Sequence, residues 1–317
     1  MLDIVLLGSG GSMPMPGRFL SSVLMSYKGR KILIDCGEGT QVAIKKMNAG
    51  FKNIDIICLT HLHGDHVFGL PGLISTIRNS ERTDKITIIG PEGTGEILRA
   101  LLSPITYMPF QLEIIDNIHQ SIGITKSLQG LQIEEFTQSK SYDLILSVLA
   151  LQHSSPCLGY SFYIPRKPKF SVEKAEFYNV PKEIWSLLQK GETVLYENKI
   201  YEPYMVLGEN RRGIKVSFIT DTRPIEAIGD FIEDSDLFIC EGTYGDDRDI
   251  EKAERNMHMT FKEAAMLAQK GNVRQMLLTH FSPSMDRPEK YRQNAENIFG
   301  NVIIGYDGYM KTLSFED

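Results

Sequence analysis

Four apolar runs in this chain stop on histidine or aspartate. IICLTH ends at His61, LILSVLALQH at His153, VSFITD at Asp221 and MLLTH at His280. Each run is short and rich in aliphatic residues, as strands are. Polar side chains at the carboxyl ends of several separate strands are how open α/β sheets assemble an active site. One histidine so placed is ordinary. Four strand ends carrying ligand-type residues restrict the chain to folds in which those ends converge.

The remaining runs DIVLLG, SSVLMSY, KILIDCG, KITIIG, LEIID, YSFYIP, LFIC and NVIIGYDG also read as strands, bounded mostly by Gly, Pro, Asp or Asn. Helical spacing appears in GTQVAIKKMN, GTGEILRALL, TFKEAAMLAQKG and EKYRQNAENIFG. Gly271 and Gly300 stand where C-terminal caps belong, and Thr260 with Glu263 forms a capping-box signature. Strands cluster early and alternate with helices late. That order predicts an α/β sandwich of two sheets covered by helices, within one large domain spanning 1–317. The stretch 166–203 breaks the pattern. It opens on Arg166, Lys167 and Lys169, carries the only tryptophan, Trp185, and reads as a surface excursion.

The net charge of −6 argues against indiscriminate binding to polyanions but leaves room for a local basic patch. The four cysteines form no CxxC pair, which points to a reducing cytoplasm. The opening MLDIVLLGSG is too short an apolar run for a signal peptide, and no stretch approaches the roughly 20 apolar residues of a membrane span.

The stretch THLHGDH, residues 60–66, crowds three histidines and an aspartate behind a buried strand. Such crowding costs free energy unless something binds it. His61 and His63 alternate by two and point the same way on an extended segment; Asp65 and His66 follow where Gly64 lets the chain turn. Imidazole and carboxylate suit Zn²⁺, Mn²⁺ or Fe²⁺, and the absence of cysteine disfavours a purely structural zinc. His61, His63 and His153 form one candidate set and Asp65, His66 and His280 another, with Asp221 bridging. Two metals about 4 Å apart clamp a bridging hydroxide and the oxygens of a phosphoryl or carbonyl substrate. His258 precedes a helix in a polar stretch, and His119 reads as an ordinary surface histidine.

THLHGDH matches the HxHxDH signature of the metallo-β-lactamase superfamily, with LQH, ITDT and LTH following in order. Within that superfamily the chain most resembles the ribonuclease Z family over nearly its whole length. LGSGGSMPMPGRFLSSVLM, IDCGEGTQ, HSSPCLGYSFYIPRKPKF and ITDTRP carry the resemblance. It implies a four-layer αβ/βα sandwich, two mixed β-sheets flanked by helices, with two Zn²⁺ per chain and a homodimer. The implied reaction removes the 3′ trailer of precursor tRNA with a metal-bound hydroxide and leaves a 3′-hydroxyl. Asp65 then resembles the general base, His258 the histidine that protonates the leaving oxygen, and Glu241 the acid that orients it. The excursion 166–203 resembles the family's flexible tRNA-binding arm, with Arg166, Lys167 and Lys169 as candidate phosphate contacts. The family's His-Glu-Ala-Thr element reads Cys240-Glu241-Gly242-Thr243 here, which keeps the glutamate. The alternative is a hydrolase of the same fold acting on a cyclic nucleotide, another small phosphodiester or a thioester.

Overall fold

In the computed structural model, which describes residues 1–316, the apolar runs become the strands of two mixed sheets. The first has seven strands. Met310–Leu313, Leu2–Gly8, Ser22–Tyr27 and Arg30–Ile34 are antiparallel neighbours, and Ile54–Cys58, Ile86–Gly90 and Leu112–Asp116 continue the sheet in parallel. The second has eight. Val302–Ile304, Met276–Thr279, Leu237–Glu241 and Arg211–Ile219 run parallel; Cys157–Arg166, Leu144–Leu151, Ile122–Ser127 and Gly130–Glu135 complete it as an antiparallel series.

Ile54–Cys58, Ile86–Gly90, Leu237–Glu241 and Met276–Thr279 are buried at every position. They are covered on both faces, which is why they read as continuous apolar runs rather than alternations. Helices Thr40–Lys46, Leu70–Arg78 and Thr94–Leu102 bury Ala43, Ile44, Leu73, Ile77 and Leu98 against Leu33, Ile57 and Ile88. Helix Phe261–Lys270 packs Phe261, Ala264, Ala265 and Ala268 in one cluster with Phe238 and Leu278. Each such aliphatic or aromatic side chain contributes about 1.5–3 kcal/mol by leaving water. The two-sheet sandwich is therefore present as the strand order predicts.

The capping box at Thr260 is complete: its hydroxyl accepts from the Glu263 N–H at 3.2 Å, and the Glu263 carboxylate accepts from the Thr260 N–H at 2.9 Å. The last helix differs from expectation. It spans only Arg292–Glu296 after a 3₁₀ turn at Pro288–Tyr291, so Gly300 is no cap. Ile298 and Phe299 instead turn inward onto the core of the second sheet.

The chain divides into two compact units. The first contains both sheets, Met1–Ile164 and Ile214–Ser314; the second runs over Pro165–Gly213 with the chain end from Phe315. The second unit takes in the excursion 166–203 and extends it to Gly213. Its base closes where the Ser171 N–H donates to the Val206 carbonyl at 2.7 Å and Phe170 bridges to Leu207. It has a core of its own, Ala175, Val180, Ile184, Leu188, Tyr201 and Val206, under Trp185. Short helices Val172–Phe177 and Trp185–Lys190 and a hairpin, Val194–Tyr196 with Lys199–Tyr201, supply it. Among the described residues, no helix is long and apolar enough to cross a membrane.

Candidate metal centre

The parallel strands of both sheets deliver their polar ends to one place. His61 follows Ile54–Cys58, Asp221 follows Arg211–Ile219, Glu241 closes Leu237–Glu241, and His280 follows Met276–Thr279. His63 caps a single helical turn, Gly64–Val67, whose first residues after Gly64 are Asp65 and His66. Extended backbone at His61–His63 followed by a turn thus spreads the four THLHGDH side chains over two sets. Donor atoms of His61, His63, His153 and Asp221 lie within 4.8 Å of one another, as do those of Asp65, His66, Asp221 and His280. Asp221 belongs to both. One of its carboxylate oxygens is 3.5 Å from both His61 Nε2 and His66 Nε2, and the other is 3.1 Å from His280 Nε2. Asp65 lies 3.6 Å from His66 Nε2 and 3.4 Å from His280 Nε2.

The electrostatics are those of a crowded buried site. Burial alone would raise the Asp221 carboxyl, but His280, His66 and His61 hold it well below the usual carboxylate range. Asp65 behaves alike: burial opposes its charge, and the His280 hydrogen bond with the nearby charge of His66 outweighs it. His61 is pushed down, first by burial and then by His66. Burial works against protonation of His66 too, yet Asp221 and Asp35 raise it well above an ordinary histidine.

The donor set fits a divalent cation. His66 Nδ1 lies 2.7 Å from the Asp35 carboxylate, and His153 Nδ1 lies 3.1 Å from the Met257 carbonyl. Both partners only accept, so each imidazole donates outward and turns Nε2 to the centre. There His153 Nε2 is 3.3 Å from His63 Nδ1, His61 Nε2 is 3.0 Å from the same atom, and His66 Nε2 is 3.3 Å from His280 Nε2. Ring nitrogens and two carboxylates gathered this closely at the floor of a cleft are the N/O ligand set that zinc and its neighbours take.

Beside these sets stands a second constellation. Glu241 is fully buried, and its carboxylate accepts from Thr222 N (2.7 Å), Met259 N (3.1 Å), the Thr243 hydroxyl (2.5 Å) and His258 Nδ1 (3.2 Å). Burial works against a charged His258, but the Glu241 carboxylate prevails and carries it up to about 9. The His258 ring stacks on that of His280 with centroids 5.4 Å apart. Its backbone is held as well: the Arg223 guanidinium donates to the His258 carbonyl and to the Glu263 carboxylate. His63, Asp65, His153, Asp221 and His258 line an open cleft of about 400 Å³, with Arg255 and Asn256 also on its wall.

Sequence reasoning passed over several participants. Asp35 ends strand Arg30–Ile34 as the ligands end theirs, a signal that was available. Thr243 closes the Cys240-Glu241-Gly242-Thr243 element of the resemblance, while Thr60 and Ser12 carried no signal of their own. The Ser12 N–H donates to Asp65 at 2.6 Å from a residue with φ of +67°. Arg166, Lys167 and Lys169 all lie in the second unit. There the Arg166 guanidinium sits 5.3 Å from the Phe315 ring centroid, and Lys167 and Lys169 are exposed. His119 is exposed, as an ordinary surface histidine should be.

Two sheets in this order with paired His/Asp sets define a hydrolase of the metallo-β-lactamase fold. Residues 2–195 match a family model described as anti-Pycsar protein Apyc1, and residues 203–281 one described as a β-lactamase superfamily domain. A ribonuclease Z of Alkaliphilus oremlandii is 56% identical over 317 residues, covering all of both chains, and one of Clostridioides difficile is 54% identical over 318 residues, again over both entire chains. The structure of the short form of human tRNase Z shares the fold, with a TM-score of 0.67 and 24% identity over 99% of this chain and all of that one. The chain belongs to the ribonuclease Z family.

Proposed function

We propose that this protein is the endoribonuclease that removes the 3′ trailer from precursor tRNA, breaking the bond between phosphorus and the 3′ oxygen and leaving a 3′-hydroxyl. The observation that carries the reading is one cleft lined both by members of the two ligand sets, His63, His153, Asp65 and Asp221, and by a His258 that Glu241 keeps protonated. His61, His63 and His153 would hold one cation and Asp65, His66 and His280 the other, with Asp221 shared. Bound there, two zinc ions supply Lewis acidity and a readily ionised water. Asp65, fixed by the Ser12 N–H, accepts the proton of the attacking water. His258 gives its proton to the departing 3′ oxygen, and Glu241 anchors its Nδ1 so that Nε2 is the atom left to donate.

The second unit is proposed as the RNA-gripping arm. Exposed Lys167 and Lys169 offer phosphate contacts, and exposed Phe177 and Tyr204 offer faces for stacking, in a chain whose net charge is otherwise negative. A homodimer is supported by exposed Val42, Phe68 and Ile97, apolar residues on or next to helices that pack side by side over the first sheet. Four buried, unpaired cysteines suit a reducing cytoplasm.

The test replaces Pro165–Gly213 with a tight turn, which the adjacency of strands Cys157–Arg166 and Arg211–Ile219 permits. Cleavage of precursor tRNA should collapse while hydrolysis of a small phosphodiester persists. A zinc-loaded full-length chain that hydrolyses small phosphodiesters but leaves precursor tRNA intact refutes the RNA reading in favour of a small-substrate hydrolase.

A further inference from the structure

Two buried threonine hydroxyls, one on each sheet, stand between a carboxylate and a ligand imidazole. Thr60 Oγ1 is 2.8 Å from Asp35 Oδ2 and 3.1 Å from His61 Nδ1. Thr243 Oγ1 is 2.5 Å from Glu241 Oε2 and 3.1 Å from His280 Nδ1. All four of these threonines and carboxylates are at most 3% exposed, so water is no alternative partner.

Counting hydrogens gives the network a direction. A hydroxyl has one hydrogen and two lone pairs, and an ionised carboxylate only accepts. Asp35 also receives the Thr60 N–H at 2.8 Å and His66 Nδ1 at 2.7 Å. Glu241 also receives two backbone N–H groups, from Thr222 and Met259. Each threonine therefore spends its hydrogen on its carboxylate. The one competing acceptor, the His280 carbonyl, lies 3.2 Å from Thr243 Oγ1, well beyond Glu241 at 2.5 Å. What remains on each hydroxyl is its two lone pairs. Besides the ligand imidazole, Thr60 Oγ1 has His66 Nδ1 at 3.5 Å and Thr243 Oγ1 has His258 Nδ1 at 3.3 Å, two nitrogens whose hydrogens already point to Asp35 and Glu241. His61 and His280 meet the lone pairs with Nδ1–H, which turns Nε2 to the centre beside Asp221, at 3.5 Å and 3.1 Å respectively.

We propose that Thr60 and Thr243 are positioning residues that fix the tautomer of one imidazole in each ligand set, His61 in the first and His280 in the second. The inference rests on the metal reading of the same site and adds a wiring to it. Through Thr60, Asp35 holds His61 of one set while directly holding His66 of the other. Through Thr243, Glu241 holds His280 while directly holding His258, so one carboxylate serves a metal ligand and the proton donor together.

The experiment compares Thr60→Val and Thr243→Val, which keep the side-chain shape, with Thr60→Ser and Thr243→Ser, which restore the hydroxyl. Zinc affinity is read by chelator competition on the folded protein. Loss of an outer-shell partner of a metal ligand weakens binding by about 10–100-fold, so each valine variant should fall in that range and each serine variant should recover most of it. A second readout needs no variant: nitrogen NMR of histidine-labelled, zinc-loaded wild type should find a hydrogen on Nδ1 of both His61 and His280. Valine variants with wild-type zinc affinity, or no hydrogen on Nδ1 of either histidine in the zinc-loaded protein, overturn the inference while a zinc-binding wild type leaves the metal reading standing. A wild type that binds no zinc overturns both.

Discussion

Gly11 has no room for a methyl group, and the reason is His280. A Cβ at position 11 would fall 2.4 Å from Cε1, 2.6 Å from Nε2 and 2.7 Å from Nδ1 of that ring. Carbon atoms rest at about 3.5 Å or more, so in Gly11→Ala the imidazole must retreat by roughly 1 Å. A metal bond tolerates only about 0.2 Å. The ring cannot slide freely either, since Thr243 holds its Nδ1 at 3.1 Å and His258 stacks against it. The His280 ligand should therefore be lost or strained, weakening zinc binding at the second set by about 10–100-fold. Turnover should fall about 100-fold, the usual consequence of a 1 Å misplacement in a catalytic constellation. The first set does not include His280 and should keep its affinity. A chelator titration of the variant should accordingly become biphasic, with one zinc released early and one at the wild-type concentration. Gly11 does not have a positive φ, so the expected effect is steric and not conformational. Two tightly held zinc ions and wild-type turnover in Gly11→Ala would refute this reasoning.

Other perturbations separate the roles. His258→Ala should cut kcat on precursor tRNA by about 10²–10⁴ with zinc content unchanged; loss of zinc would make His258 a ligand instead. Asp65→Ala should lower both, because its carboxylate sits 3.4–3.6 Å from His280 and His66 as well as facing the cleft, and a fully loaded variant would argue against that placement. Asp55 belongs to strand Ile54–Cys58 of the first sheet, and its carboxylate takes Arg30, Arg82 and the Leu131 N–H. Asp55→Ala leaves the buried Arg82 guanidinium without its carboxylate and Arg30 with Asp84 alone, and should cost about 3–5 kcal/mol in urea denaturation; an unmoved midpoint would contradict this. Leu188→Ala removes a fully buried side chain from the small core of the second unit, at about 2–5 kcal/mol. Limited proteolysis should then cut within 165–213 while zinc content holds, and resistance equal to wild type would count against that unit having its own core.

What could be read from the sequence was what rests on local pattern. Fully buried strands such as Ile54–Cys58 and Met276–Thr279 announce themselves as apolar runs, and the residues just past their ends stand out because they are polar. The hairpin Ile122–Ser127 with Gly130–Glu135 did not, because IGITKSLQGLQIEE mixes lysine, glutamine and glutamate into short alternations. Helix Leu70–Arg78 was hidden by a Pro-Gly start that resembles a turn; there Pro71 occupies the first turn and Gly72 packs on the Gln41 amide. The histidines and aspartates that gather into the two clusters were legible by type and spacing. Their outer partners were not: Asp35 is 31 positions from His66 and Thr243 is 37 from His280, and no local pattern marks a threonine as spoken for. Left-handed backbone at Asp35, Asp221 and His280, with φ of +56°, +40° and +57°, is likewise visible only once the strands are in register.

The sharing of one carboxylate between ligand sets from both sheets has a consequence for synthesis. His66 leaves the ribosome early, but His280, 214 residues later, completes its set. At about 5–20 residues per second, the nascent chain spends on the order of 10–40 s with half of a hydrolytic centre and no partner for it. On the proposed metal reading, a chain made beside messenger and ribosomal RNA would lack a complete second set until strand Met276–Thr279 has emerged. The order of the two sets along the sequence would then delay completion of the site.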